Sequence, residues 1–489
     1  MTKKFFTFSL LTLLFLPACL FLQPQAEATP EPPAPQPANL SIFKAGLNPQ
    51  YHAVIDELSN ASVYQIEFFI HDNLYEITGK QSVAYANNED TALDEIHFRL
   101  FSNILGGEMT VENVKVNDED VEPTYALNDS VLIVPLATSL QPGETVTISM
   151  EFEVTVPRSV NLNYGVQAYS DDVLALAHAY PMIAVYDDEG WNAEIPPQTG
   201  DVTYADMSFF IVTVDAPKDL VLAASGVETT VEETASRQKV RYEAGPARDF
   251  YLAGSPNYQV FVREANGITL RFYTPSYMQS GAEEALDYAA QSIKVFNAKY
   301  GAYPYTELDF VSTPTLALGI EYPGIIVITD WIMEPQMGYL EATVAHEVAH
   351  QWFYNLVGND QLDEPWLDES LAQFATMEYF AERYGEDGRL GFYEELFSRW
   401  AYIGNEEIPV GLPVRKYSDM EYSGIVYGRG ALFFVELEKK MGSENFDAFL
   451  RSYVAKYAWG VSATESLRAE AELNCGCDLG ELFEQWVYE

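Results

Sequence analysis

The chain reads as a multidomain protein: an N-terminal all-β sandwich or saddle domain followed by an α+β, mostly helical domain. Three observations predict this. Its 489 residues exceed the size at which one hydrophobic core stops growing, so two or three domains are expected. Over residues 63–258 apolar and polar residues alternate in short segments, the period of strands with one wet face. From Tyr339 onward nearly every long segment has helical spacing instead.

The elements follow in order. MTKKFFTFSLLTLLFLPAC opens the chain with Lys3 and Lys4 ahead of an apolar run over residues 5–22, which predicts a bacterial export signal over residues 1–22. LPAC at 16–19 resembles a lipobox, which would leave Cys19 as a lipidated N-terminus; Pro17 is atypical inside such a box. An uncleaved anchor, or cleavage after the AEA at 26–28, are the alternatives, and all three place the protein outside the cytoplasm as a cell-envelope or secreted protein. Residues 23–38 hold six prolines and no large apolar side chain, the composition of an extended tether.

The β domain is placed at 39–257, and its clearest strand is TVTISMEFEVTVP at 145–157, where Val146, Ile148, Met150, Phe152, Val154 and Val156 alternate with polar residues. The second domain is placed at 258–489. It begins as a mixed region, with a helix in GAEEALDYAAQSIKVFNAKYG at 281–301 and strands in LDFVST and GIIVIT, then turns helical, as in ALFFVELEKKMG and NFDAFLRSYVAKYA.

Lys plus Arg is 27 against 73 for Asp plus Glu, a formal charge of −46 that repels phosphate backbones and anionic membrane surfaces, so nucleic acid is excluded as a partner and any membrane contact falls to the N-terminal anchor. A cationic group such as a peptide's free α-ammonium would be drawn in, although surface acid also serves solubility. Apart from Cys19 the cysteines are Cys475 and Cys477, one residue apart, which predicts a local disulfide or a free pair and not a metal site.

Two of the six histidines stand four residues apart in VAHEVAHQWFYNLVGNDQLDEPWLDES at 344–370. Leu340, Val344, Val348, Trp352 and Leu356 recur every fourth residue and mark one buried helical stripe, ended by Gly358 and Asn359. His346 and His350 then share a face one turn apart and can bind one zinc ion, with Glu347 beside them as general base. Glu369, early in a second helix opened by Pro365, is the candidate third ligand. Asp368 is the candidate partner for a histidine N–H, and Glu364 is a further nearby acid. This set is suited to peptide hydrolysis, since zinc polarises water and carbonyl while Glu347 moves the proton.

HEVAH at 346–350 with Glu369 nineteen residues beyond His350 is similar to the zinc pattern of the aminopeptidase N (membrane alanyl aminopeptidase) family of gluzincins. LGIEYP at 318–323 resembles that family's Gly-Ala-Met-Glu-Asn or Gly-Gly-Met-Glu-Tyr-Pro element, with Leu318 and Ile320 departing from it. The resemblance implies that Glu321 binds the substrate α-ammonium. VYGRGALFF at 426–434 is similar to the family's Val-Tyr-Glu-Lys-Gly, implying that Tyr427 donates to the oxyanion, while Gly428 and Arg429 replace Glu and Lys. Tyr422 is a candidate auxiliary donor, and Gln167 a candidate N-domain contact to the amine. Residues 64–88 and 93–103 resemble the family's β-sheet domain, and 478–489 the end of its thermolysin-like catalytic domain.

The family resemblance thus implies a zinc aminopeptidase with one ion per chain, acting on peptides with a free N-terminus. Many members continue into a helical domain that caps the active site. Its lack of counterpart here implies an open cleft that admits long peptides, an expectation that selective failure on a ten-residue peptide would refute. A thermolysin-like endopeptidase could use the same ligands without an amine anchor, and a non-catalytic scaffold lipoprotein is the remaining alternative.

Overall fold

Alternation of apolar residues builds the N-terminal half. In the strand Thr145–Thr155, Val146, Ile148, Met150, Phe152 and Val154 are all buried while their neighbours are partly or fully exposed, each such burial being worth about 1.5–3 kcal/mol. In the computed structural model, which describes residues 39–197, 200–201, 203–334 and 337–488, this strand lies inside an eight-stranded sheet. The export segment, Cys19 and the tether lie outside the described residues.

The sheet runs in the order Val227–Glu233, Arg237–Ala247, Ser208–Pro217, Ser62–Ile70, Glu76–Ala86, Thr145–Thr155, Glu108–Val116, Glu119–Asp120. It is antiparallel except where Ser62–Ile70 pairs with Ser208–Pro217. Phe152 faces Gly79 across the ladder, and a Cβ at Gly79 would stand 2.1 Å from the Phe152 ring, so glycine there lets the aromatic lie flat over the neighbouring strand. Two four-stranded sheets, one containing Tyr251–Ser255 and the other Leu93–Arg99, supply further side chains to the same apolar core.

Tyr258 starts a different sheet. Its five strands run Tyr258–Ala265, Ile268–Pro275, Glu307–Thr313, Ile325–Thr329, Gly319–Ile320, with parallel pairing in the middle and the two-residue strand Gly319–Ile320 antiparallel on the edge. Helices α1 (Gln279–Tyr300), α2 (Leu340–Ala349), α3 (Trp366–Tyr384), α4 (Glu386–Tyr402) and α5 (Gly430–Met441) follow, then Ser443–Tyr457 and Thr464–Cys475. The all-β first half and the helical second half agree with the fold class read from the sequence. Cys475 and Cys477 are joined as a disulfide.

The helix carrying the histidines is shorter than its apolar stripe predicts. It ends at Ala349, although Trp352 and Leu356 remain buried. Side-chain donors hold the backbone that follows. His350 Nδ1 bonds the Phe353 carbonyl at 3.0 Å, and the buried Arg248 of the β half donates to the carbonyls of Tyr354 (2.6 Å), Asn355 (3.1 Å) and Gly460. Tyr354 adopts φ 146°, which no α-helix allows. A side-chain clamp from the first domain therefore shapes the turn directly after the second histidine.

Candidate metal centre and cleft

Helix α2 presents His346, Glu347 and His350, and α3 presents Asp368 and Glu369 in its first turn, where the helix dipole favours negative charge. The two imidazole Nε2 atoms stand 3.1 Å apart, and Glu369 Oε2 lies 3.2 Å from His346 Nε2 and 3.5 Å from His350 Nε2. Since His350 Nδ1 donates to the Phe353 carbonyl, its Nε2 is left with a lone pair facing the other two atoms. Glu369 Oε2 is buried without a hydrogen-bond donor among the described residues, while Oε1 accepts from the Tyr427 hydroxyl.

Three ligand-type atoms within 4.8 Å of one another, two nitrogen and one carboxylate, with an orphaned oxygen between facing lone pairs, fit a three-ligand zinc site. The charge balance agrees. Burial disfavours a charged His350, yet Glu321, Glu369 and Glu347 around it outweigh burial and push its pKa well above the imidazole range, so the centre calls for a cation. Burial likewise works to raise Glu369, but the His346 and His350 imidazoles beside it hold it far below the ordinary carboxylate value.

Glu347 is in the opposite state. Buried, and next to Glu321, it is pushed well above the usual carboxylate range. Glu321 follows the edge strand Gly319–Ile320, and the carboxylate oxygens of Glu321 and Glu347 lie with a nitrogen of His350 in a second trio within 4.8 Å. The approach is close: a Cβ on Gly319 would sit 2.4 Å from Glu347 Oε1. Tyr427 belongs to a π-helical segment, Ser423–Arg429, leading into α5; such wider turns recur at functional sites. Its ring centroid is 5.9 Å from that of His346 and 5.7 Å from that of Tyr422, whose buried hydroxyl has no partner among the described residues.

The structure thus brings His346, His350, Glu369, Glu347, Glu321, Tyr427 and Tyr422 to the lining of one cavity of about 330 Å³. Other expectations fail. Asp368 bonds no histidine; it accepts from Asn359 (3.1 Å) and Gln361 (2.7 Å), and Gln361 also reaches Glu321 Oε1 at 3.2 Å. Asp368 is therefore linked to Glu321 through Gln361, and the only described partner of His350 Nδ1 is a backbone carbonyl. Glu364 accepts from the Thr464 N–H at 2.9 Å, away from the ligands. Gln167 is buried, donates to the Ala177 carbonyl at 3.0 Å and does not line the cavity.

Asp201 is an acid that does reach the cavity from the β half. It is raised well above its ordinary value by burial and by Glu321, Glu369 and Asp368 beside it. In sequence it is one acid in a loop with no periodicity, so nothing marked it. The departures from the family pattern at 428 and 429 have structural reasons: a Cβ at Gly428 would stand 3.2 Å from Arg399 Cβ, and the buried Arg429 donates to the carbonyls of Ile408 (2.9 Å), Trp486 (2.6 Å) and Gln485 (2.9 Å).

The β domain is thus followed by a helical domain that carries a His-His-Glu cluster beside a buried glutamate. Residues 284–486 match the Peptidase family M1 domain, so the chain carries a domain of that family and the aminopeptidase N resemblance of its motifs is borne out. It is 25% identical over 410 residues to Aminopeptidase M1-B of Oryza sativa subsp. japonica, covering 78% of this chain and 45% of that protein. With Aminopeptidase N of Streptomyces lividans it shares 23% identity over 403 residues, covering 77% and 45%. The chain spans less than half the length of these relatives. The crystal structure of an M1 zinc metallopeptidase from Deinococcus radiodurans has the same fold, with a TM-score of 0.70 at 19% identity over 88% of this chain and 94% of that one.

Proposed function

We propose that the chain is a zinc-dependent aminopeptidase that hydrolyses the N-terminal bond of peptides. The observation that carries this reading is the position of Glu321, a buried carboxylate within 4.8 Å of ligand-type atoms of Glu347 and His350. A peptide ammonium paired with it lies next to the ligand trio, so the first peptide bond is the one presented for cleavage.

His346, His350 and Glu369 are the residues that would hold one zinc ion. When bound, zinc supplies a Lewis acid that makes water nucleophilic near neutral pH and polarises a carbonyl. Glu347 takes the water proton as the new C–O bond forms and delivers it to the amide nitrogen as the C–N bond breaks. The Tyr427 hydroxyl donates to the oxyanion of the tetrahedral intermediate, and the Tyr422 hydroxyl, which has no partner among the described residues, assists it. Substrates with a free and an acetylated N-terminus separate this reading from an endopeptidase: acetylation should abolish turnover, and equal rates on both would refute the amine anchor. A scaffold role would be favoured instead by protein that takes up no stoichiometric zinc under metal-replete conditions.

We propose also that the protein is exported and anchored through Cys19. Support comes from the sequence of residues 1–22 alone; no helix among the described residues is long and apolar enough to cross a membrane. Cell fractionation tests this: Cys19→Ser should release the protein from the membrane fraction, and retention there would count against lipidation.

A further inference from the structure

The cleft has an order. A second cavity, of about 480 Å³, shares Tyr164, Val166, Gly200, Asp201, Ile320 and Glu321 with the first but none of the three ligand residues, so Glu321 lies where the two meet. At the other side of the ligands the first cavity is walled by Phe392, Glu395 and Arg399 of α4, which the second cavity lacks. Glu321 lies with His350 and not His346 in the second trio, whereas the His346 ring is 5.9 Å from that of Tyr427, whose neighbour Gly428 packs on Arg399. Arg399 is held in place by close packing of α4 on the Tyr427 segment, its Cβ within 3.2 Å of where a Gly428 side chain would start. The cleft therefore runs from Glu321 past His350 and His346 to Arg399.

Arg399 is also the one lysine or arginine among the described residues lining either cavity, in a chain with 27 such residues against 73 acids. Its ion-pair partner, Glu395, is an i,i+4 neighbour 3.3 Å away; the Glu395 side chain is exposed and that of Arg399 is partly exposed. Such a pair contributes little and opens readily for a better anion. A carboxylate matches the guanidinium in a two-bond fork.

We infer that Arg399 anchors the free α-carboxylate of short peptides, so that the cleft selects di- and tripeptides by both termini, ammonium at Glu321 and carboxylate at Arg399. This rests on the aminopeptidase reading. A longer peptide is still cut but gains nothing from Arg399, since its carboxylate lies out of reach.

The test compares kcat/KM for a dipeptide, the same dipeptide with a C-terminal amide, and an aminoacyl-arylamide, using zinc-loaded wild type, Arg399→Gln and Arg399→Lys. The wild type should favour the free acid over the amide at least tenfold, through KM and not kcat. Arg399→Gln should collapse that ratio towards one, and Arg399→Lys should restore part of it, a rescue that a packing role would not produce. A wild type that treats acid and amide alike, or a ratio that survives in Arg399→Gln, overturns the inference while leaving the aminopeptidase reading intact. Failure of the wild type on the arylamide overturns both.

Discussion

The floor of the cleft and its edge-strand wall both carry buried glutamates, and they are in opposite electrostatic states. On the floor, Glu369 is held ionised by two imidazoles and takes a hydrogen bond from Tyr427. At the wall, Glu321 and Glu347 face each other, and burial pushes both upward, Glu347 the more strongly. The same side chain is suited to hold a metal where its neighbours are donors, and to carry a proton or accept a cation where its neighbour is another acid.

Substitutions at both places should separate these duties. The largest effect is expected from Glu369→Ala, which removes a ligand: zinc content measured after dialysis should fall from one per chain to near zero and activity should vanish. Retention of the metal would mean that the second trio, Glu321, Glu347 and His350, holds it instead. Glu347→Gln should keep the zinc yet lower kcat by about 10²–10⁴-fold, the usual worth of a general base; loss of metal together with activity would erase the distinction between floor and wall.

Tyr427→Phe should cost about 2.7–4 kcal/mol of transition-state stabilisation, seen in kcat with zinc unchanged. Because its hydroxyl also bonds Glu369, a parallel fall in zinc affinity would show that it serves the floor more than the oxyanion. The smallest change is expected from Glu321→Gln, where loss of a charged hydrogen bond of about 1.5–3 kcal/mol should raise KM roughly ten- to a hundredfold. An effect confined to kcat would place Glu321 with the proton carrier instead of the amine.

The sequence made the floor legible and left much of the wall hidden. His346, Glu347 and His350 lie within one helical turn, so their shared face follows from the helix period alone, and Pro365 signals the helix that carries Glu369. Glu321 and Tyr427 stand out only through resemblance, because an acid after a two-residue strand and one tyrosine among 32 have no local signature. Asp201 and Arg399 were not visible at all: one sits in an irregular loop of the β half, and the other looks like any solvent-facing arginine on an amphipathic helix. The early end of α2 was missed for the same reason, since the clamp that ends it, Arg248, lies about a hundred residues away in sequence.

By itself the sequence determined the order of a β half before a helical half and the ligand pair on one helix face, because strand and helix periods and i,i+4 spacing are local properties of the backbone. Only the tertiary structure decided that Asp201 joins Glu321, that Asp368 serves Gln361 instead of a histidine, and that Arg399 lines the same cavity. Those facts depend on which distant segments pack together, and packing is set by burial and hydrogen-bond satisfaction over the whole chain.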